Sequence, residues 1–109
     1  MKIKTNELND VALDWAVLFA RNPSVAGLFS VTHCVPAPFS TEWALGGPIM
    51  ESEGISLYLY GGSEWEAHVG NKAYQGPTPL VAAMRCYVAS KLGDEVEIPE
   101  ALQTAQEAV

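Results

Sequence analysis

Apolar positions recur at helical spacing in two stretches of the chain and at alternate positions in a third. From Val11 to Arg21, Val11, Trp15, Leu18 and Phe19 fall on one stripe. Ala12, Leu13, Ala16, Val17 and Ala20 fill much of the remaining surface, and only Asp14 and Arg21 are charged. The spacing predicts a helix with little surface suited to water. Asn9 or Asp10 stands where a side chain accepts the orphan amide protons of a first turn, and Pro23 lies just beyond the end.

A second helix is predicted over Leu80 to Leu92. Thr78 can cap it, Pro79 suits the first helical position because its missing amide proton would be unpaired there, and Gly93 is a natural left-handed terminator after Lys91 in the last turn. Leu80, Val81, Met84, Tyr87, Val88 and Leu92 form a broad apolar face. The opposite side is Ala82, Ala83, Cys86, Ala89 and Ser90, small rather than charged. Two helices so short of outward charge imply either a central layer or an interface between copies of the chain, and a homo-oligomer is the expectation.

Between the helices, Ile55 to Tyr60 and Glu64 to Val69 are β-rich, and Gly61-Gly62-Ser63 makes the turn of a hairpin. A third strand is predicted at Lys72 to Gln75. Trp65, Ala67 and Val69 share one face of the second strand, with Glu64, Glu66 and His68 on the other. Val25 to Val35 reads as a further strand. Pro36, Pro38, Gly46, Gly47 and Pro48 argue against long regular structure between them, with Ser40 capping a turn that holds Trp43 and Pro48 starting a short helix that Gly54 ends. Glu95 to Pro99 reads as a short edge strand, and Glu100 to Val109 as a marginal helix. The class expected is α+β: a small antiparallel sheet of about three to four strands packed with two principal helices.

Composition narrows this picture. With 109 residues, 49% of them hydrophobic, the chain suits one domain, placed at residues 1–98, followed by an acidic tail at 99–109. The net charge is −7, from 13 acids and 6 bases, and the bases are not clustered along the sequence, so a nucleic-acid backbone is not the expected partner. Membrane association is not expected either. No apolar run suits a membrane span, and Met1 to Lys4 lacks the apolar block of a signal peptide, so the expected compartment is the host cytoplasm. Cys34 and Cys86 are expected to be separate thiols.

Candidate chemistry is thin. His33 with Cys34, and the remote His68 and Cys86, lack the spacing of a zinc site, and no nucleophile elbow, phosphate-binding loop or dinucleotide fingerprint occurs. No metal or cofactor is expected. Cys86 on the small face of a helix reads as a packed thiol before a nucleophile. Glu51 with Glu53, and Glu64 with Glu66, read as solvated surface before an acid/base pair.

Arg85 stands out as the only charged side chain between Lys72 and Lys91, and it needs an anion. A carboxylate such as Asp14, Glu51 or Glu53 is the structural choice, and a ligand's phosphate or carboxylate the functional one. Trp43, Tyr58, Tyr60, Trp65 and Tyr74 are candidates to stack on a flat ligand, although an aromatic in a small protein serves the core more often. Strand alternation turns Tyr58 and Tyr60 away from Leu57 and Leu59. The candidate ligand-binding set is Arg85, Trp43, Trp65, Tyr58, Tyr60 and Thr78.

Three blocks carry a family resemblance: Lys4 to Leu8 with Ala12 to Val17, Ser40 to Ile49 around Gly46-Gly47-Pro48, and Gly76-Pro77-Thr78-Pro79-Leu80 continuing to Arg85. Together they resemble the NinX-like family of small bacteriophage and prophage proteins, in order over most of residues 2–98. There is a fainter similarity to a phage domain described as an αβα sandwich. The resemblance implies an accessory phage protein and supplies no catalytic residues. Residues 22–38 and those after Pro99 fall outside the shared pattern.

Two functions from different classes follow as expectations. One is non-enzymatic binding of a small, nucleotide-like signal that a phage sequesters to counter host defence. The other is an acidic protein-interaction module that binds a host or phage protein, steered by charge. An enzyme acting through Cys86 or His68 is the weakest reading.

Overall fold

The computed structural model describes residues 2–22 and 37–98, with Tyr60 described by its backbone alone. The strand expected within Val25 to Val35, the helix expected after Glu100, and His33 and Cys34 all lie outside the described residues. Along the chain run β1 (Lys2–Lys4), a 3-10 turn (Thr5–Glu7), α1 (Asp10–Arg21), α2 (Trp43–Glu53), β2 (Ser56–Tyr60), β3 (Glu64–Val69), β4 (Lys72–Gly76), α3 (Pro79–Leu92) and β5 (Glu95–Glu97). The class is α+β. Among the described residues the strands form two antiparallel sheets, one of β1 with β5 and one ordered β2-β3-β4.

The hairpin follows its alternation. Leu57 lies opposite Ala67 and Leu59 opposite Trp65, which puts them on the side of the sheet where Ala67 is fully buried. Tyr58 lies opposite Glu66, on the other face. The helices are stacked on the buried face, with α3 between the sheet and the pair α1 and α2. The exposed face carries Ser56, Tyr58, Ala73 and Gln75.

Position in the middle explains the composition of α3. Every residue from Ala82 to Ala89 is buried, so the small side expected to need a covering surface receives it within this chain. Of the two expectations for an uncharged helix, the central layer is the one found. Thr78 Oγ1 accepts the Val81 amide at 3.1 Å and Pro79 is the first helical residue. Gly93 closes the helix at φ 94° and ψ −168°, a positive φ with an extended ψ in place of the left-handed turn expected. Gly76 lets β4 run close beneath this helix, since a Cβ there would lie 2.7 Å from the Ala82 nitrogen.

Helix α1 uses its stripe differently from the periodic reading. Ala12, Leu13, Ala16 and Val17 are fully buried, while Val11, Leu18 and Phe19 are only partly so. Its small side chains allow the axis to lie close along α3, and the Trp15 and Phe19 rings stack at 5.0 Å beside that contact. Asn9 occupies the cap position, but its side chain makes no cap hydrogen bond because its carbonyl oxygen is taken elsewhere.

The largest correction is α2. Pro48 does not start the helix, and Gly46-Gly47-Pro48 does not interrupt it. The helix begins at Trp43 behind Glu42 and carries all three residues inside. A Cβ on Gly46 would sit 2.6 Å from Leu80 Cδ1 and 2.7 Å from the Phe39 carbonyl oxygen, so tight packing on α3 requires a residue that local propensity disfavours. Gly54 ends the helix as expected, in the left-handed region at φ 68° and ψ 39°. Ser40 does not cap the turn: its amide donates to Asp14 Oδ1 at 2.8 Å in the interior.

The edge strand expected at Glu95 is present, and its partner is a strand the sequence pattern did not reveal. Lys2 pairs with Glu97, Ile3 with Val96 and Lys4 with Glu95. Thr5 extends the contact, its amide donating to the Asp94 carbonyl at 2.8 Å and its hydroxyl to the Gly93 carbonyl at 2.7 Å. Among the described residues no helix is long and apolar enough to cross a membrane.

Candidate functional site

Arg85 is buried, 8% exposed, near the middle of α3. Neither Asp14, Glu51 nor Glu53 meets its guanidinium. Its Nε donates to the Leu8 carbonyl at 2.9 Å, Nη1 to the Gln75 carbonyl at 2.7 Å and Nη2 to Asn9 Oδ1 at 2.7 Å. These acceptors are neutral dipoles, so among the described residues no carboxylate hydrogen-bonds the cation. Burial pulls the guanidinium below its ordinary pKa, opposed by the negative field of Glu64. The carboxylates expected for Arg85 are engaged elsewhere: Asp14 holds the Ser40 amide and Glu53 meets Lys91 at 3.3 Å.

The same guanidinium lines a groove of about 810 Å³, bordered by the 3-10 turn, β4 and the start of β5. Lys4, Asn6, Lys72, Tyr74 and Asp94 also line it. Lys4, Lys72 and Arg85 are three of the chain's six basic side chains, gathered from positions up to 81 apart, and Glu64, Asp94 and Glu95 set three carboxylates in the same concavity. Asp94 ties the wall together, accepting the Tyr74 hydroxyl in a short hydrogen bond and Lys72 Nζ at 3.2 Å. Desolvation and the Asp94 carboxylate push the Tyr74 phenol up to about 12, while these two donors hold Asp94 below the usual carboxylate range.

A second recess of about 470 Å³ is lined by Asn9, Asp10, Ser40, Trp43, Thr78 and Leu80, among others. It holds two of the residues singled out in the sequence, and it is separate from the Arg85 groove. Thr78 spends its hydroxyl on the α3 cap. Trp43 is 53% exposed. Of the other aromatic candidates, Tyr74 lines the Arg85 groove, while Tyr58 and Trp65 line neither cavity. Tyr58 meets His68 edge-on at 5.1 Å on the outer face of the sheet, and Trp65 is packed against the core. The Tyr60 side chain lies outside the described residues.

The residues proposed for catalysis are kept apart. Cys86 is buried, its thiol donates to the Lys72 carbonyl at 3.6 Å, and burial pushes its pKa up to about 11, away from thiolate chemistry. His68 lies on the outer face of the sheet with Nε2 2.7 Å from Glu66 Oε1. The hydrogen bonds from His68 and Gln75 hold the Glu66 carboxyl below its ordinary range. Among the described residues no three His, Cys, Asp or Glu side chains come together as a metal set.

Sequence reasoning found Arg85 and Tyr74 and missed the rest of the groove. Lys72 and Asp94 meet across a separation of 22 residues, and Lys4 arrives through pairing of distant strands, so no local pattern marks them.

No curated protein matches this chain. The family model described as bacteriophage P22, NinX, matches residues 4–91, a span that runs from the groove residue Lys4 through Lys72 and Arg85 to the end of α3. That match covers most of the chain, and with the Gly46-Gly47-Pro48 helix and the Thr78-Pro79 cap both inside it, the chain belongs to the bacteriophage NinX family.

Proposed function

We propose that this phage protein is a non-enzymatic binder of a small anionic ligand, held in the groove floored by Arg85. One observation carries the reading: a guanidinium whose hydrogen bonds, among the described residues, go only to neutral oxygens, in a concavity where half of the chain's basic side chains stand beside Glu64, Asp94 and Glu95. A buried cation with no carboxylate among its hydrogen-bond acceptors, and only the field of Glu64 acting on it, favours a phosphate or carboxylate over water. Tyr74 supplies one aromatic wall and Asn6 a polar side chain within reach of a base or sugar. The ligand class proposed is nucleotide-like, and the role proposed for this member of a phage family is sequestration of such a signal in the host cytoplasm as a counter to defence.

Native mass spectrometry and calorimetry with mononucleotides, cyclic nucleotides and cyclic dinucleotides test this. Binding of defined stoichiometry is expected, weakened in Lys4→Glu, whose side chain is exposed. Trp43→Ala, in the other recess, is expected to leave affinity unchanged. No binding by any of these ligands, or equal loss in Trp43→Ala, overturns the assignment of the groove.

A second reading, an acidic module that docks on a protein, has its own support. Trp43 and Leu45 are 53% and 36% exposed on α2, next to the recess that Thr78 and Asp10 line. A partner captured by the native protein and lost in Trp43→Ala, with nucleotide binding absent, favours this alternative.

A further inference from the structure

The most exposed large apolar side chains among the described residues are neighbours: Leu59 at 60% and Tyr58 at 56%, both on β2. Strand β2 is an edge of the three-stranded sheet, paired to β3 on one side only among the described residues. An edge presents a row of backbone donors and acceptors that water must satisfy, and soluble proteins commonly blunt such edges with lysine, proline or a bulge. Here Ser56-Leu57-Tyr58-Leu59-Tyr60 has no charge, no proline and no glycine, and its register with β3 is continuous over five residues.

We infer that β2 is a self-pairing edge, joining two copies of the chain through an antiparallel β2–β2 contact about a two-fold axis at Tyr58. The occupant is specified by the strand's own pattern. Leu57-Tyr58-Leu59 reads identically in both directions, so a two-fold pairing centred on Tyr58 places Leu57 of each copy opposite Leu59 of the other. Those residues lie on the helix side of the sheet, where a leucine left in water by one copy gains an apolar neighbour from the second. Tyr58 then faces its own counterpart on the outer surface. Charge also selects this edge. In a chain with 13 acids, pairing through most surfaces sets carboxylate against carboxylate, whereas this strand brings none of its own. A contact of five residues is small, so the dimer is expected to be concentration-dependent.

Sedimentation velocity from micromolar to submillimolar concentration reads the association directly. The wild-type chain is expected to shift from monomer to dimer, and Leu59→Lys, a change at an exposed position that keeps the circular dichroism spectrum, is expected to weaken association about tenfold or more. Register is read separately. In a Cys34→Ser background, Tyr58→Cys is expected to form a disulfide-linked dimer under mild oxidation, because directly opposed strand positions have the required separation. Trp43→Cys, at a position 53% exposed on α2, is the control that is expected to cross-link much less. A wild-type chain that stays monomeric throughout, or a dimer that Leu59→Lys leaves intact and Tyr58→Cys fails to capture, overturns the inference.

Discussion

Arg85 Nη2 donates to the side-chain carbonyl of Asn9 at 2.7 Å, across 76 residues of chain. With the bonds to the Leu8 and Gln75 carbonyls, one guanidinium fastens the entry to α1, the last residues of β4 and the middle of α3. Removing it orphans three acceptors at once. Arg85→Ala is therefore expected to cost on the order of 3 kcal/mol or more, since each unpaired buried polar group costs about 1–3 kcal/mol and the terms are not additive. Arg85→Lys, which lacks the planar fork, is expected to recover only part of this. Asn9→Ala removes one acceptor and is expected to cost about 1 kcal/mol. Urea denaturation of the three variants checks the order.

Gly46 and Gly47 are adjacent in one helix, and their alanine variants are expected to differ in sign. At Gly46 an added Cβ meets Leu80 and the Phe39 carbonyl, so Gly46→Ala is expected to destabilise by about 1–3 kcal/mol through overpacking. At Gly47 nothing lies within 4 Å, so Gly47→Ala is expected to stabilise by roughly 0.5–1 kcal/mol through helix propensity. Thermal melts of both variants decide it.

That pair also shows what the sequence could convey. The hairpin and α3 were legible because their signals are local: alternation, a Gly-Gly turn, Thr78 before Pro79. The start of α2 was not, because Gly-Gly-Pro is locally a helix breaker, and its reason for being helical lies on Leu80 in another element. Strand β1 was not, because three residues become a strand only opposite Glu95–Glu97. Arg85 announced itself as a lone charge on an apolar helix. Its partners did not, since backbone carbonyls have no sequence signature, and a carboxylate was the wrong expectation for that reason.

Asp14 is buried, and desolvation raises its pKa above the ordinary 3.8, with the contacts from Ser40 opposing but not cancelling the effect. The native state therefore holds this proton more tightly than the unfolded chain does. Stability from this group is fullest below the ordinary carboxylate pKa and falls as pH rises through the native value. Asp14→Asn keeps an acceptor for the Ser40 amide and loses the buried charge, so it is expected to flatten this slope and match or exceed the wild type near neutrality. Asp14→Ala leaves the amide unpaired and is expected to cost about 1–3 kcal/mol. Denaturant midpoints across the acid range read both.

Cys86 and Tyr74 give the alkaline limb. Both are held protonated by the fold, at about 11 and about 12, so their contribution is intact below the ordinary thiol and phenol ranges and is lost as pH climbs through those values. In a Cys34→Ser background, Cys86 is expected to react with a thiol reagent far more slowly in the native protein than in urea at about pH 8. Equal rates in the two states contradict the buried thiol.

The pairing of Lys2–Lys4 with Glu95–Glu97 has a consequence for how the protein is made. A ribosome releases the first of these strands early and the second late, so β1 waits through the synthesis of every helix and of the whole hairpin before its partner emerges. Lys2–Lys4 can therefore pair only once β5 has been made, and a nascent chain stopped after α3 leaves β1 without its partner.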